Sequence, residues 1–376
     1  MTIPFNRPQP VGRELAYINA AIGSGHIGGI GEFTARCQDW LEQELGVKKA
    51  LLTTSCTAAL EMAALLLDMR PGDEVIVPSF TFPSTANAFA LRGAKPVFAD
   101  IRPDTLNINE TQIERHITAR TKAIVLMHYA GVGCEMEAIV DLARDRSIAV
   151  IEDNAHGLFG KYKGRHLGTF GCMSAQSFHE TKNFTCGEGG GLLINDEQFI
   201  GRAEIIREKG TNRARFYRGE VDKYTWVDLG SSYAPSEILA AFLMAQLDAR
   251  AKIQGERERI WKYYAGHLRE WARRYEVQLP TAPAHLEHPY HMFFILLKTG
   301  EQRTRLIAHL EKAGVQSAFH YVPLHLSKMG RAFGGKEGEC PVSESVSERL
   351  LRLPFYNDLT NPELEQVVAA VEKFPA

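Results

Sequence analysis

The sequence predicts an α/β fold: a large domain with a mostly parallel central sheet over residues 1–250, then a smaller α+β domain over 251–376. Three observations predict it. Short β-rich runs alternate with helical runs from residue 49 to about 200, and repeated βα units build a mostly parallel sheet covered by helices on both faces. The chain has 376 residues, more than one small core organises. The composition changes near residue 250, where the alternation has ended and a long helical run gives way to a mixed pattern.

The elements follow in order. Residues 49–55 read as a strand and 57–67 as a helix that is apolar all round. Strands at 74–78, 96–100, 123–128 and 149–153 alternate with helices at 84–91, 110–117 and 136–144. A further strand and helix read at 192–196 and 197–208. Residues 207–227 are polar and rich in Arg, Lys and Gly; long excursions of this kind in compact domains are often functional. Residues 236–264 read as one long helix with a break near Lys252. In the smaller domain, 291–298 and 316–321 read as strands and 301–313, 343–351 and 362–373 as helices. Ligands on parallel sheets bind at the carboxyl ends of the strands. Ser55, Ser79, His128 and Asp153 all fall at or just past such ends.

Composition excludes several function classes. Hydrophobic content of 45% and charged content of 23% are ordinary for a globular protein. A net charge of -2 supplies no basic field for nucleic acid. No apolar run approaches the roughly 20 residues that span a bilayer, so no membrane association is expected. Met1-Thr2-Ile3-Pro4-Phe5-Asn6 has no charged segment leading into an apolar one, and reads as no signal peptide. The six cysteines are scattered without a Cys-x-x-Cys pair and read as reduced thiols, neither a disulfide frame nor a metal site. A cytoplasmic enzyme fits these bounds.

The chemistry centres on Lys182, which follows Ser177-Phe178-His179-Glu180-Thr181 and precedes Gly187-Glu188-Gly189-Gly190-Gly191. Residues 174–178 are small and apolar, like a buried strand, and the glycines permit close backbone approach. Burial and nearby cations lower a lysine's pKa, and its free amine then attacks an aldehyde. Asp153 ends the apolar run Val150-Ile151-Glu152. It either caps the next helix or, paired with such a lysine, keeps a pyridine nitrogen protonated. His156 lies three residues on, either against that ring or as an ordinary partly buried histidine. Thr54-Ser55-Cys56-Thr57 stands where a strand turns into a helix, and free amides there with the Thr57 hydroxyl form an anion site. Ser177 adds a hydroxyl beside the lysine. Phe82 follows a strand end and either stacks on the ring or packs in the core. An imine-forming lysine, an acid and a phosphate cradle are the parts that pyridoxal 5'-phosphate requires. His320 and His325 flank a proline turn without an acidic or cysteine partner nearby, so substrate contact is expected there and metal binding is not.

Taken together these residues resemble the DegT/DnrJ/EryC1/StrS sugar aminotransferases, within fold type I of the pyridoxal phosphate enzymes. The likeness runs nearly end to end: Ile3-Pro4-Phe5, Gly72-Asp73-Glu74-Val75-Ile76-Val77-Pro78, Thr81-Phe82, Gly93-Ala94, Glu152-Asp153, Ser177-Phe178, Lys182, Glu188-Gly189-Gly190 and Pro323-Leu324-His325. The resemblance implies Lys182 as the cofactor-binding lysine, Asp153 as the partner of the pyridine nitrogen, and Cys56, Thr57 and Ser177 around the phosphate. It also implies L-glutamate as donor and sites formed between subunits, hence a homodimer or larger assembly. His128-Tyr129-Ala130-Gly131, the run from Arg207 to Arg213 and Asp222-Lys223-Tyr224-Thr225-Trp226 are similar to the branch that aminates dTDP-4-dehydro-6-deoxyglucose to dTDP-4-amino-4,6-dideoxygalactose, a precursor of enterobacterial surface polysaccharide. Where many members carry Gly-x-Asn-Tyr-Arg, whose asparagine reaches the phosphate in the neighbouring subunit, this chain has Gly230-Ser231-Ser232-Tyr233-Ala234. The shorter Ser232 puts that direct contact in question, although the same stretch occurs in that branch.

A nucleotide sugar carries a diphosphate that cations must meet. Lys209, Arg213, Arg215 and Arg218 supply them from the excursion, or else form a solvated basic loop. Related readings are a UDP-linked or 3-keto sugar substrate. A dehydratase branch replaces the lysine with histidine, and a catalytically silent regulator would lose Lys182, Asp153 or the cradle; this chain keeps all three.

Overall fold

The computed structural model describes residues 2–281 and 283–376. Seven strands form the main sheet: β1 (Lys49–Thr53), β2 (Glu74–Pro78), β3 (Lys95–Ala99), β4 (Thr121–Met127), β5 (Ala149–Asp153), β8 (Met173–Ser177) and β9 (Gly190–Ile194), in the order β1-β9-β8-β5-β4-β2-β3. Two short strands, β6 (Lys161–Tyr162) and β7 (Arg165–His166), form a separate ribbon with β10 (Leu286–Glu287). In the main sheet β3, β2, β4, β5 and β8 pair in parallel, and β9 runs antiparallel to both its neighbours. The near-continuous apolar runs of β2, β4 and β5 are buried, as strands covered on both faces must be.

The helix Cys56–Leu66 packs across β8 and β9 with Ala59, Leu60, Met62, Ala63 and Leu66 in the core. Its small residues let it lie close to the sheet. Ser55 caps it, accepting from the Ala58 amide at 3.0 Å. A second core joins the helices Glu237–Asp248 and Glu32–Leu45 to the far face of the sheet, around Phe33, Leu41, Leu52, Phe178 and Leu247. The C-terminal part has its own core of Tyr264, Phe293, Leu306, Leu351, Val367 and their neighbours, into which Ile3 also inserts. Among the described residues no helix is long and apolar enough to cross a membrane.

The parallel βα order read from the sequence stands, with local differences. Two N-terminal helices, Glu14–Gly23 and Glu32–Leu45, precede the region of alternation. β9 begins at Gly190, not at 192, where it pairs with Thr53 and Ser177; glycine alone fits there, since a Cβ on Gly190 would meet the Ser55 carbonyl carbon at 2.2 Å. The long helix breaks at Ala249, between Glu237–Asp248 and Arg250–His267. The expected strand at 291–298 shortens to β11 (Phe294–Leu296). The expected strand at 316–321 is absent; only Ala318 bridges, to Arg352. The partner of β11 is β12 (Leu350–Arg352), which ends the run expected to be helical. Leu353 precedes Pro354, and a residue before proline is pushed out of the helical region.

Candidate active site

Strand order brings the sequence-predicted residues to one end of the sheet. β5 ends at Asp153, and β8, its parallel neighbour, ends at Ser177, five residues before Lys182. β9 returns beside β8 with Ser177 opposite Gly190. The close approach at Gly190 then sets the N-terminus of helix Cys56–Leu66 against the same strands.

Asp153 is buried and fixed. It accepts from Thr85 Oγ1 at 2.7 Å and from the Ala155 amide at 3.2 Å, and Cys56 Sγ lies 4.0 Å from its Oδ1. Burial pushes its carboxyl up, against the pull of Thr85, Ala155, Lys182 and His128. Burial also pulls the Lys182 amine down to about 8; Arg352 adds to the descent, and Cys56 and Asp153 oppose it. Its neutral form is therefore accessible near neutral pH. The rate at which cofactor-free protein captures pyridoxal phosphate is expected to rise with pH and level off above about 8, because only the neutral amine attacks the aldehyde. Stopped-flow absorbance checks this; a midpoint near 10.5, the ordinary value for lysine, would contradict it.

His156 is buried in a stack. Its ring lies 4.1 Å from that of His291 and 6.1 Å from that of His320. Burial, then the charge on Lys182, holds its pKa well below the usual histidine value. His291 Nδ1 meets Asn183 Oδ1 at 2.9 Å, and Asn183 Nδ2 donates to the Pro289 carbonyl at 2.7 Å. His320 Nδ1 lies 2.9 Å from the Tyr129 hydroxyl, and the ring of Tyr321 lies 3.6 Å from that of His320. Thr85, His291, Tyr321 and Arg352 were not singled out in the sequence, and Tyr129 and Asn183 stood only within longer runs. Only the run His288-Pro-Tyr-His291 carries a visible signal, two histidines at close spacing.

Phosphate-type donors cluster at the helix N-terminus. The Cys56 and Thr57 amides have no intrahelical acceptor, and Thr57 Oγ1 lies 2.7 Å from Ser84 Oγ. The set tests well against pyridoxal phosphate. His156 Nδ1 is buried without a partner. Asp153 is buried with no cation at ion-pair distance among the described residues. A ring bearing a protonated nitrogen would compensate that acid, and a phosphate would take the free amides.

Other sequence-predicted residues lie differently. Phe82 is 55% exposed, so packing in the core is not its role within one chain; its ring stands 6.3 Å from that of Tyr321. His325 does not face a substrate. It is fully buried, with Nδ1 at 2.5 Å from Ser79 Oγ and Nε2 at 2.9 Å from Glu344 Oε1, so both ring nitrogens are taken. His128 is likewise engaged, by Glu152 at 2.9 Å and the Cys134 amide at 3.1 Å. Ser232 is exposed and bridges to Glu208. The excursion holds a short helix, Arg213–Tyr217. Arg215 and Arg218 both pair with Glu220, at 3.1 and 2.6 Å, Arg213 donates to the Tyr217 hydroxyl at 2.7 Å, and Lys209 is exposed.

Known proteins resemble this chain along nearly its whole length. The model of the DegT/DnrJ/EryC1/StrS aminotransferase family matches residues 9–372. The GDP-perosamine synthase of Escherichia coli O157:H7 is 31% identical over 372 residues, covering 99% of this chain and 98% of that protein. Among solved structures, the putative sugar aminotransferase Spr1654 of Streptococcus pneumoniae in its PMP-form superposes with a TM-score of 0.92 at 26% identity, covering 99% of this chain and 98% of that one. The same protein is also known in a PLP-form. DesV of S. venezuelae superposes with a TM-score of 0.89 at 28% identity, covering 99% and 98%.

Proposed function

This chain belongs to the DegT/DnrJ/EryC1/StrS family of pyridoxal phosphate-dependent sugar aminotransferases, and from that premise we propose that it moves an amino group from L-glutamate to C4 of dTDP-4-dehydro-6-deoxyglucose, giving dTDP-4-amino-4,6-dideoxygalactose. The observation that carries the reading is the convergence at one end of the sheet of a buried acid, Asp153, a buried amine, Lys182, and the free amides of the helix Cys56–Leu66. The choice of sugar rests on the runs from His128 to Gly131, Arg207 to Arg213 and Asp222 to Trp226.

When bound, pyridoxal phosphate supplies an electron sink and carries the amino group from one substrate to the other. The Cys56 and Thr57 amides, with the Thr57 and Ser177 hydroxyls, hold its phosphate. Asp153, oriented by Thr85, keeps a proton on the ring nitrogen. His156 lies against the ring, fixed from behind by His291 and Asn183. Phe82 extends over the site from its strand end, and the exposed Ser232 stands where other family members carry the asparagine that reaches the neighbouring subunit's phosphate. Lys182 would take the proton from the donor α-carbon as base and hold it for return as acid. In the second half it delivers a proton to sugar C4, and the face of delivery fixes the configuration.

The diphosphate of the sugar nucleotide meets Lys209, Arg213, Arg215 and Arg218. The pairs of Arg215 and Arg218 with Glu220 are exposed and exchange readily for a diphosphate, while Arg218 also reaches Glu204 at 3.0 Å and Arg213 lies 3.9 Å from Glu208. His320 contacts the sugar. Two copies complete the sites, and the free thiols suit the cytoplasm.

The experiment is a product assay with glutamate as donor and a panel of dTDP-, UDP- and GDP-linked 4-keto and 3-keto sugars, read by NMR. A dTDP-linked 4-amino product with the galacto configuration supports the reading. Amination only of another nucleotide, or only at C3, would overturn the choice of sugar.

A further inference from the structure

We propose that Arg352 receives a carboxylate of the amino donor. The inference rests on glutamate as donor, and it starts from a half-buried cation whose Nε is buried and lacks a partner. Arg352 ends β12, its backbone held between Phe294 on one side and Ala318 on the other. Its guanidinium carbon lies 4.7 Å from the centre of the Phe5 ring. One terminal nitrogen donates to the Phe319 carbonyl at 3.1 Å, and Nε is buried with no acceptor. Among the described residues Arg352 makes no ion pair. A guanidinium partly withdrawn from water gains from a carboxylate, and one neutral carbonyl leaves its buried Nε without an acceptor.

The surroundings tell the same story. Phe294, the strand partner of Arg352, lies 5.9 Å from the ring of Tyr129, which bonds His320. Arg352 is near enough to Lys182, His156, His291 and His320 to bias each of them against carrying a proton. The groups that favour its own charge are the phenols of Tyr129 and Tyr321, not carboxylates. The region between the histidine stack and Lys182 is thus lined by cations and neutral donors, with Asp153 turned to Thr85. A planar guanidinium with free donors fits a carboxylate through two parallel hydrogen bonds. The donor brings a carboxylate into this region; the sugar nucleotide brings a diphosphate, the other anion that could use the same fork.

The cofactor-loaded protein decides between them by thermal midpoint and steady-state kinetics. Glutarate, a dicarboxylate without an amine, is expected to raise the midpoint of the native protein but not that of Arg352→Gln. dTDP is expected to raise both equally. The KM for glutamate should rise about 10- to 100-fold in Arg352→Gln, as expected for losing a charge-assisted hydrogen bond, with the KM for keto sugar unchanged. Arg352→Lys, which keeps the charge and loses the fork, should fall between, and it carries the test if the Gln variant does not fold. An undiminished glutarate shift in the variants overturns the inference. So does loss of the dTDP shift with the glutarate shift kept, which assigns Arg352 to the diphosphate. Either result leaves the transaminase reading standing; native protein that neither binds glutarate nor takes nitrogen from glutamate overturns both.

Discussion

Lys182→Ala is expected to lose turnover by about 10,000-fold or more, since it removes the only proposed group that moves protons at the reacting carbons. The fall should appear in both halves of the reaction, because the same amine serves the donor α-carbon and sugar C4. Loaded wild-type protein should carry a visible absorbance band that the variant lacks. Unfolding does not explain the loss. Folding lowers this amine's affinity for a proton to about 8, so at neutral pH its charge costs stability rather than supplying it. The thermal midpoint of the variant should therefore match or exceed that of the native protein. Near-native turnover in Lys182→Ala would end the mechanistic account.

Asp153→Asn is the second large effect. The amide keeps the shape and the hydrogen bond from Thr85 Oγ1, 2.7 Å away in the native protein. It cannot hold a negative charge beside a protonated ring nitrogen, and a preorganised charge of this kind in a buried site contributes about 100- to 1,000-fold to rate. We expect kcat to fall by that order in both halves, with the absorbance band at Lys182 retained. Asp153→Asn thus separates from Lys182→Ala by its spectrum, although both impair turnover. Removing an uncompensated buried acid should raise the thermal midpoint of cofactor-free protein, because burial pushes this carboxyl up and makes its charge unfavourable there. Unchanged kcat in Asp153→Asn would remove this acid from the mechanism.

The parallel sheet was legible because its strands carry a local signal: β-branched apolar runs at β2, β4 and β5 with helical patterns between them. Asp153 and Lys182 were legible for a related reason, each standing at or just past the end of such a run. Thr85, His291 and Arg352 were not, because their approach to the site is a product of tertiary folding. Arg352 arrives on β12, a three-residue strand that pairs with β11 more than fifty residues earlier in the chain, and nothing local distinguishes it from Arg349. His325 misled for the converse reason: it stands beside a proline turn, yet Ser79 and Glu344 from distant segments enclose it. The start of β9 was displaced because Gly190 and Gly191 carry no strand signal, while their lack of side chains is what lets the helix at Cys56 approach.

The central claim is that one amine, Lys182, holds the cofactor. Borohydride reduction of the loaded native protein, followed by proteolysis and mass spectrometry, tests it most directly. The account predicts a pyridoxyl phosphate group on the peptide containing Lys182. A label found on a different lysine, with Lys182 unmodified, would contradict it.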